Sequence, residues 1–450
     1  MQKRNVADPL HARAQSRPSP RFPDVLRDTV AVIAGRAVGL ALRVVRPGGG
    51  TALPGTVANV LSPGLLARVI QQPREGIVVV TGSSGKSTTT HMVAAILRQH
   101  GLSVFTNYRT ANIPKGLMSE LLPQLTWRNR LPADVAVLEI DEGYSAIITE
   151  QVPARVSILL NVMIDQLHRW HEPERVASYL KRTASSTFHT VVVNADDPHL
   201  AAIGAAVEQG PGRQRVRRYA SAAEGADAAD RIGSAPRYGD LPAADAAPVH
   251  SQVVSVEGTE AVIRVDGVEV PVSLPSAGAH IASDAAAAIE GARALLGGRF
   301  SLDTTRDAFL AMTGVAGRTD RVTIGGHTVD LIFTKSPASM QLNLDLLDDS
   351  ADKVMVAVGK DIYDTSQLWL VDWSGLPDVA MVSGWAAWDT ALRFEYDEVA
   401  FGAVEPDIRV ATRDFVKDPS PPTAHSTIIY TPEAMRQLRR YLQLDRADRK

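Results

Sequence analysis

The sequence predicts an α/β protein, with a parallel sheet that carries a phosphate-binding loop and a second, smaller α/β domain at the C-terminus. Short apolar segments alternate with helical patterns, which is typical of parallel strands buried on both faces. A loop rich in Gly, Ser and Thr separates the apolar strand Gly76–Val80 from a helix expected near Thr89–His100. The strand pattern recurs at Val354–Val358 and Val379–Val382, which indicates the second domain.

Composition excludes several classes of protein. The chain has 450 residues, 45% of them apolar, so it can bury a large core without a metal or disulfide. Its 47 basic and 50 acidic residues give a net charge of −3, which argues against nucleic-acid binding through global positive charge. The absence of cysteine excludes disulfides, thiolate zinc sites and a cysteine nucleophile. A glutaminase of the cysteine type would therefore be another chain.

Changes in composition divide the chain into four regions. Residues 1–23, with several Pro, Ser and Arg, are expected to form a flexible tail. Residues 24–74 are predicted to be an N-terminal helical segment, and residues 75–299 the central domain with the phosphate loop. The central domain includes a low-complexity insertion at 220–248, rich in Ala, Asp and Gly. Residues 300–450 are expected to form the C-terminal domain.

The central domain should contain further strands between its helices. A β-like stretch at Gln252–Val272 is predicted to contain a hairpin turn at Asp266-Gly267, because Asp-Gly favours a two-residue turn. A helix around Ala282–Leu296 is expected to close the domain. The other predicted strands are Ser103–Thr106, Ala136–Ile140, Val156–Asn161 and Thr190–Asn194.

No segment is expected to span a membrane. The most apolar candidate, Thr29–Val45, is short and contains Arg36 and Arg43. A polar, Pro-containing lead precedes it, unlike a secretory signal. Two interpretations stay open for this segment: an amphipathic helix packed against the protein, or a surface that touches a membrane or a lipid-linked substrate.

The loop Val80–Thr90 carries the chemistry. Gly82 and Gly85 would let the backbone curl so that its N–H groups face an anion at the start of the following helix. Lys86 would reach the β- and γ-phosphates of a nucleotide, and the Ser87 hydroxyl would hold Mg²⁺. The alternative is a simple Gly/Ser turn before a helix. The predicted nucleotide-binding residues of the loop are Gly82, Ser83, Ser84, Gly85, Lys86, Ser87 and Thr88.

This shortened loop, Thr-Gly-x-x-Gly-Lys-Ser-Thr at Thr81–Thr88, resembles the ATP loop of the Mur ligase family. Members of that family use ATP and Mg²⁺ to phosphorylate a carboxylate, and an amine then attacks the acyl phosphate. The resemblance covers about residues 25–445. Its other matching segments are Thr106–Pro114, Leu138–Glu142, Leu160–Leu167, Asn194–Pro198 and Gly317–Val322.

The resemblance implies roles for several residues. Glu139 would bind a second Mg²⁺ that bridges the γ-phosphate and the substrate carboxylate; the alternative is an exposed strand-end acid, and Asp141 and Glu142 rank below it. Asn194 and Asp197 would contact adenosine, unless they form an Asx turn before Pro198.

The remaining candidates also have structural alternatives. Arg318 would stabilise the transferring phosphoryl group, or form a surface ion pair, and Lys335 would face the nucleotide from the C-terminal domain. Asn161 and Asp165 would position Mg²⁺ or phosphate, or cap a helix. His168 and His171 could bind a metal, but a solvated helical face is the simpler interpretation.

Within the family, the chain most resembles the ligase subunits that amidate D-glutamate in lipid II together with a GatD-like glutamine amidotransferase. The segments that carry this likeness are Gly48–Gly55, Asp165–Leu167, Lys335–Pro337 and Asp364–Trp373. The resemblance implies that Asp364 completes the Cys-His pair of the partner glutaminase, where an aspartate orients the histidine. The alternative is a helix-capping residue.

The chain departs from this branch in several places. The branch carries a four-cysteine zinc ribbon in the middle domain, and this chain has no cysteine. Gln367 replaces a tryptophan, His168 stands where an aspartate is expected, and the stretch before Asp364 is shortened to Gly359–Tyr363. These differences bear on the glutaminase partnership and on the substrate.

The sequence therefore predicts an ATP- and Mg²⁺-dependent amide-forming ligase acting on a lipid-linked or nucleotide-linked muropeptide. The partner would be a GatD-like glutaminase, with no nucleic acid and at most peripheral membrane contact, in the cytoplasm or at the inner face of the membrane. One alternative is a stand-alone Mur-like ligase that joins an amino acid. Another is a degenerate nucleotide-binding subunit, against which the intact Lys86, Ser87 and Glu139 speak.

Overall fold

The structure, a computed structural model, divides into two compact units. The first unit is Met1–Gln72 with Arg109–Pro132, and the second unit is Pro73–Tyr108 with Ala133–Lys450. The expected tail and insertion lie almost wholly outside the described residues. Those residues are 22–45, 52–107, 112–163, 173–221, 248–312, 319–324, 327–334, 337–344, 347, 351–360, 365–376, 379–417 and 425–442.

Helices and strands alternate along most of the described chain. The helices are α1 (Phe22–Val45), α2 (Leu53–Leu61), α3 (Leu65–Ile70), α4 (Lys86–Gln99), α5 (Pro114–Leu121), α6 (Glu142–Gln151), α7 (Pro173–Ser185), α8 (Pro198–Gln209), α9 (Ala279–Leu296), α10 (Leu302–Leu310), α11 (Pro337–Leu344), α12 (Ala387–Tyr396), α13 (Ile408–Lys417) and α14 (Pro432–Leu442). The strands are β1 (Ile77–Thr81), β2 (Val104–Thr106), β3 (Val135–Glu139), β4 (Ala154–Leu159), β5 (Thr187–Asn194), β6 (Arg215–Ala220), β7 (Ser251–Glu257), β8 (Glu260–Val265), β9 (Val268–Ser273), β10 (Thr319–Ile324), β11 (His327–Phe333), β12 (Ala351–Ala357), β13 (Val379–Ser383), β14 (Phe401–Glu405) and β15 (His425–Tyr430). Short 3-10 helices occur at Leu122–Gln124, Gly297–Arg299 and Thr365–Leu370.

The first unit is helical and depends on two glycines for its packing. A Cβ atom at Gly35 of α1 would lie 2.7 Å from Leu122 Cδ1 and 3.0 Å from Pro54 O. A Cβ atom at Gly55 of α2 would lie 2.0 Å from Lys115 O, at the start of α5. Because α5 packs this closely on α2, its segment groups with the first unit, although the sequence placed it in the central domain.

Helix α1 begins at Phe22, close to the expected start of the helical segment at residue 24, because Pro23 and Asp24 suit the first turn of a helix. One face of α1 is buried, which agrees with the packed interpretation of this segment. Asp28 on that face accepts a hydrogen bond of 2.9 Å from Arg68 Nε. None of the helices in the described ranges has the length and apolar character needed to cross a membrane.

The first sheet of the second unit contains β1–β9 in the order β2-β3-β1-β4-β5-β6-β7-β8-β9. Pairing is parallel from β2 to β7 and antiparallel from β7 to β9. Helices α4, α9 and α10 contribute to one apolar core, and α7 and α8 contribute to another. The predicted parallel sheet with helices on both faces is confirmed.

The hairpin expected at Asp266-Gly267 joins β8 and β9. Both residues have positive φ, +45° and +87°, which is the conformation that a type I′ turn requires. Helix α10 follows the expected domain boundary at residue 300 but packs against α4 and β9. Phe309, buried in the core of the first sheet, accounts for this packing.

The second sheet has the order β10-β11-β15-β12-β13-β14, with only the β10–β11 pair antiparallel among the described strands. Two apolar cores lie against it, one including Trp373 and Phe394, the other Phe415 and Leu438. Trp373 is fully buried and its indole N–H donates to Leu368 O at 3.0 Å. The predicted C-terminal α/β fold is confirmed.

Gly291 should be essential for the packing of α9 on β4. A Cβ atom there would lie 2.2 Å from Ile158 Cδ1 in the fully buried core. We expect Gly291→Val to lower the free energy of unfolding by about 1–3 kcal/mol, measured by urea denaturation. Gly298→Val is the control, because a Cβ atom at Gly298 has no neighbour within 4 Å. Equal stability of the two variants would contradict this account of the α9–β4 contact.

Candidate active site

The loop Gly82–Gly85 joins β1 to α4 at the carboxyl edge of the first sheet. From β1 the chain forms β2 and β3 on one side, then crosses to β4 on the other side of β1. Ligands of open α/β sheets bind beyond the carboxyl ends of the strands where the chain changes sides in this way. The loop therefore lies where a ligand is expected.

Both glycines of the loop are required by the backbone. Gly82 has φ of +141° and Gly85 has φ of +80°, values that favour glycine. A Cβ atom at Gly85 would lie 2.1 Å from Asp284 Oδ1 on α9. Helix α4 begins at Lys86, earlier than the expected Thr89, so its first turn directly follows Gly85. The N-terminus of a helix presents N–H groups and a positive dipole end, as an anion site requires.

Asn161, just after β4, fixes the loop. Its side-chain oxygen accepts a hydrogen bond from Ser84 N at 2.8 Å, and its backbone oxygen accepts one from Ser83 N at 3.1 Å. Ser83 Oγ accepts in turn from Met163 N at 3.0 Å. The amides of Ser83 and Ser84, expected to face an anion, therefore bind Asn161 instead. In this conformation the anion-binding positions belong to the first turn of α4, which includes the buried Thr88.

Ser87 and Glu139, each predicted to bind a Mg²⁺ ion of its own, are adjacent in the structure, at the spacing of two ligands of one ion. Ser87 Oγ donates to Glu139 Oε2 at 2.7 Å. Glu139 is the last residue of β3 and only 7% exposed, so the alternative of an exposed strand-end acid is wrong. Asn107 holds the strand end through two hydrogen bonds to the Glu139 backbone, of 2.8 and 2.9 Å. This geometry suits Mg²⁺, whose neighbouring octahedral ligands lie about 2.9 Å apart at metal–oxygen distances of ~2.0–2.1 Å.

The Lys86 side chain is buried and does not face solvent. Its ammonium group lies 2.7 Å from Glu142 Oε1, and both side chains are about 95% buried, at 5% and 4% exposed. It also donates to the backbone oxygens of Gly82 and Ser83. A buried charge is tolerated only when it is paired and hydrogen-bonded, which explains why the lysine turns back into the loop. An incoming phosphate would have to compete with Glu142 for this ammonium group.

Asn194 and Asp197, the predicted adenosine contacts, have structural roles in this conformation. Asn194 Oδ1 accepts from Asp196 N at 3.0 Å, which forms the Asx turn left open by the sequence. The Asp197 carboxylate, 2% exposed, caps α8 through the amides of His199 and Leu200 and accepts from Val162 N at 2.6 Å. Burial raises the pKa of Asp197, although these three N–H groups act in the opposite direction. Direct contact with a nucleotide would require these bonds to be replaced.

Six of the predicted site residues lie outside the described residues, so their roles stay predictions. Within the described ranges, no group of three or more His, Cys, Asp or Glu side chains could hold a metal ion. A magnesium ion at Ser87 and Glu139 would therefore take its remaining ligands from phosphate and water, as Mg²⁺ usually does. The predicted residues outside the described ranges are Arg318, Lys335, Asp364, Asp165, His168 and His171.

Sequence reasoning missed two residues of the site, Asn107 and Asp284, and ranked a third, Glu142, too low. Glu142 was ranked below Glu139, but it is the first residue of α6, which starts soon after β3 at the same sheet edge. Asn107 directly follows β2, and its position at a strand end was the available signal. Asp284 lies within α9, far from the loop in sequence, and only the packing of α9 brings it to Gly85.

The Lys86–Glu142 pair generates a prediction about nucleotide affinity. We expect Glu142→Gln to bind a non-hydrolysable ATP analogue about threefold to tenfold more tightly, because the phosphates no longer compete with a carboxylate for Lys86. Isothermal titration calorimetry measures this affinity. Glu150→Gln is the matched control, since Glu150 lies on the same helix and its side chain is 45% exposed in a surface ion pair. Weaker binding by Glu142→Gln would instead assign Glu142 a direct role in holding the ligand.

Comparison with known proteins agrees with this geometry. Residues 80–292 match the Mur ligase middle domain. The lipid II isoglutaminyl synthase (glutamine-hydrolyzing) subunit MurT of Staphylococcus aureus is 29% identical over 149 residues, covering 33% of each chain. The UDP-N-acetylmuramoyl-tripeptide–D-alanyl-D-alanine ligase of Mycobacterium tuberculosis is 29% identical over 206 residues, covering 38% of each chain. The matches thus span little more than a third of these relatives.

The fold extends beyond the matched residues. The crystal structure of MurF ligase from Thermotoga maritima in complex with ADP has a TM-score of 0.57 and 17% sequence identity, covering 87% of this chain and 84% of that one. At this identity the likeness concerns the fold alone. The loop lies within the matched segment, and its strand β1 begins at Ile77, directly before it. The chain therefore carries a Mur ligase middle domain at residues 80–292.

Proposed function

We propose that this chain is an ATP- and Mg²⁺-dependent ligase that forms a carbon–nitrogen bond. The observation that carries the proposal is the 2.7 Å contact between Ser87 Oγ and Glu139 Oε2, beside the glycine loop that ends in Lys86. A hydroxyl and a carboxylate at this spacing suit Mg²⁺, and a helix N-terminus with a lysine suits phosphates. The MurF likeness, in a protein solved with ADP, supports nucleotide binding at this fold.

The residues of the loop fit the proposed substrates. Gly82 and Gly85 provide the positive φ angles of the loop, and their lack of a Cβ atom lets Leu160 and Asp284 pack closely against it. The first turn of α4 would hold the phosphates. Ser87 and Glu139 would hold Mg²⁺, which neutralises the charge of the phosphates and of the acceptor carboxylate. Lys86 would exchange Glu142 for a phosphate oxygen. Arg318 and Lys335 are proposed to add positive charge from the C-terminal side, and Asn194 to contact adenine.

In the proposed reaction a carboxylate of the substrate takes the γ-phosphoryl group of ATP, ADP leaves, and an amine displaces phosphate to form an amide. Protein groups contribute by placing the two anionic reactants together and by stabilising the charge that develops on the phosphoryl oxygens. The intact set of Lys86, Ser87 and Glu139 argues against a degenerate, non-catalytic subunit.

We further propose that the carboxylate is the α-carboxylate of D-glutamate in a lipid-linked or nucleotide-linked muropeptide, and that the amine is ammonia. The similarity to MurT, named for lipid II isoglutaminyl synthase, supports this substrate. A chain with no cysteine has no nucleophile for cysteine-type glutamine hydrolysis. A GatD-like glutamine amidotransferase would supply the ammonia, and Asp364 would face its Cys-His pair.

An exposed aromatic surface in the C-terminal domain supports a protein partner. Trp388, Leu392 and Tyr396 recur every four residues along α12, so they share one face, and they are 66%, 54% and 66% exposed. The Trp369 ring packs edge-on against the Tyr396 ring, 4.9 Å between centroids. Trp369 belongs to the 3-10 helix that follows Asp364 in sequence. Exposed tryptophan and tyrosine side chains are typical centres of protein interfaces.

The role of Lys86 is tested best in a Glu142→Gln background. Lys86→Ala alone would leave Glu142 buried without its cation, and the loss of stability would obscure the kinetics. We expect Lys86→Ala/Glu142→Gln to be about a thousandfold slower than Glu142→Gln in substrate-dependent ADP release. The reason is that the transferring phosphoryl group loses the positive charge of Lys86 that would stabilise it. Equal rates of the two variants would remove Lys86 from the proposed ATP site.

The proposed partner surface is tested by calorimetric titration with a GatD-like glutaminase. We expect Trp388→Asp to weaken association about thirtyfold or more, as for an interface hot spot, while the ammonium-driven reaction continues. Trp127→Asp is the matched control, because Trp127 is 92% exposed in the first unit. Asp364→Asn should bind the partner normally, lose glutamine use and keep ammonium use.

Two results would change the proposal. Unaltered association of Trp388→Asp would exclude the aromatic surface as the partner site. An amino acid that outcompetes ammonia as acceptor would favour the stand-alone ligase. That function would then account for the absence of the cysteine zinc ribbon and for the replacement of a tryptophan by Gln367.

A further inference from the structure

Helix α1 carries a second apolar face, which the described part of the chain leaves exposed to solvent. Six apolar residues follow one another along α1 at intervals of three or four positions, so they form one continuous stripe. They are Leu26, Val30, Ile33, Ala37, Leu40 and Val44. Their exposed fractions are 61% for Leu26, 51% for Val30, 60% for Ile33, 61% for Leu40 and 81% for Val44. We call these residues the α1 stripe.

The α1 stripe is distinct from the face that holds α1 in the first unit. Ala31 and Val32 are at most 2% exposed, and Gly35 makes the close approach to Pro54 on α2. The helix thus already has a packing partner on its buried face. A row of exposed large apolar residues beyond that face costs free energy in water and marks an interaction surface.

The sequence that contains the α1 stripe is strongly basic. Residues 1–46 contain nine Lys and Arg but only three Asp and no Glu, a net charge of +6 in a chain whose total is −3. Of the acids, Asp28 is on the buried face, paired with Arg68. An apolar helix face accompanied by an excess of basic residues is the pattern of helices that lie in the plane of an anionic membrane surface.

Pairing with a second copy of this chain fits less well. The positions that flank the α1 stripe along the helix are Arg27, Thr29, Ala34, Arg36, Ala41 and Arg43. Helices that pair through such stripes usually carry opposite charges at these positions. Here only basic, small and hydroxyl residues occur, and Arg36 already donates to the backbone oxygens of Leu122 and Leu125. The flanking positions of a second copy would therefore offer no carboxylate to pair with an arginine.

We propose that α1 docks on an anionic lipid bilayer, with the α1 stripe in the interface and with the net positive charge of the N-terminal sequence favouring anionic headgroups. The docking is peripheral, since the helix keeps its packing on α2. The inference stands on the first unit alone and does not depend on the proposed ligase activity.

The test is a vesicle flotation assay with the full chain. We expect binding to vesicles of equimolar phosphatidylcholine and phosphatidylglycerol, and much weaker binding to phosphatidylcholine alone or at high salt. Ile33→Glu/Leu40→Glu should reduce the partition at least ~tenfold, because it places charge at the two central positions of the apolar face. Circular dichroism and the melting temperature should match the unaltered protein, since both positions are exposed.

The control is Val268→Glu/Leu310→Glu, which makes the same change of charge at two positions of the second unit that are 55% and 62% exposed. This control should float with anionic vesicles like the unaltered chain. Equal loss of binding in both double variants would overturn the proposal, as would the absence of binding by the unaltered chain. A dimer in solution that Ile33→Glu/Leu40→Glu dissociates, without vesicle binding, would assign the α1 stripe to a second copy instead.

Discussion

The buried ion pair between Lys86 and Glu142 is the constraint around which the candidate site is organised. Both groups are almost inaccessible to water, at 5% and 4% exposed. Buried charges of this kind require a partner and further hydrogen bonds, and the backbone oxygens of Gly82 and Ser83 supply these to the ammonium group. The Lys86 ammonium group therefore stabilises the curled backbone of the loop, and the loop oxygens in turn stabilise the buried charge.

Several elements act together to hold that loop. Asn161 bonds the amides of Ser83 and Ser84 to the end of β4, and Asp197 bonds the next amide, Val162, to the start of α8. On the other side of β1, Asn107 fixes the end of β3 and so the position of Glu139. Because parallel strands end at the same edge of the sheet, their register determines which side chains meet there. The contact between Ser87 and Glu139 is the result.

The two exposed apolar surfaces differ in the chemistry that they offer. The aromatic surface around Trp388 and Tyr396 has rigid rings, as interfaces between folded proteins use. The α1 stripe has aliphatic side chains accompanied by basic residues, which suits a fluid anionic surface. Separate surfaces for a protein and for a lipid would allow one chain to meet both a nitrogen donor and a membrane-borne substrate.

The sequence by itself determined the features that are local or periodic. These features are the glycine loop at Gly82–Gly85, the buried parallel strands, the Asp266-Gly267 turn and the two α/β folds, and they follow from residue spacing and from the conformations that glycine allows. Tertiary structure decided which distant residues meet. Three features depend on how helices pack: the contact of Glu142 with Lys86, the approach of Asp284 to Gly85 and the inclusion of α5 in the first unit. Helix packing in turn depends on shape and burial across long stretches of chain. Only the folded chain could show that Lys86 is buried, because the carboxylate that pairs with it, Glu142, belongs to α6, 56 residues further along the chain.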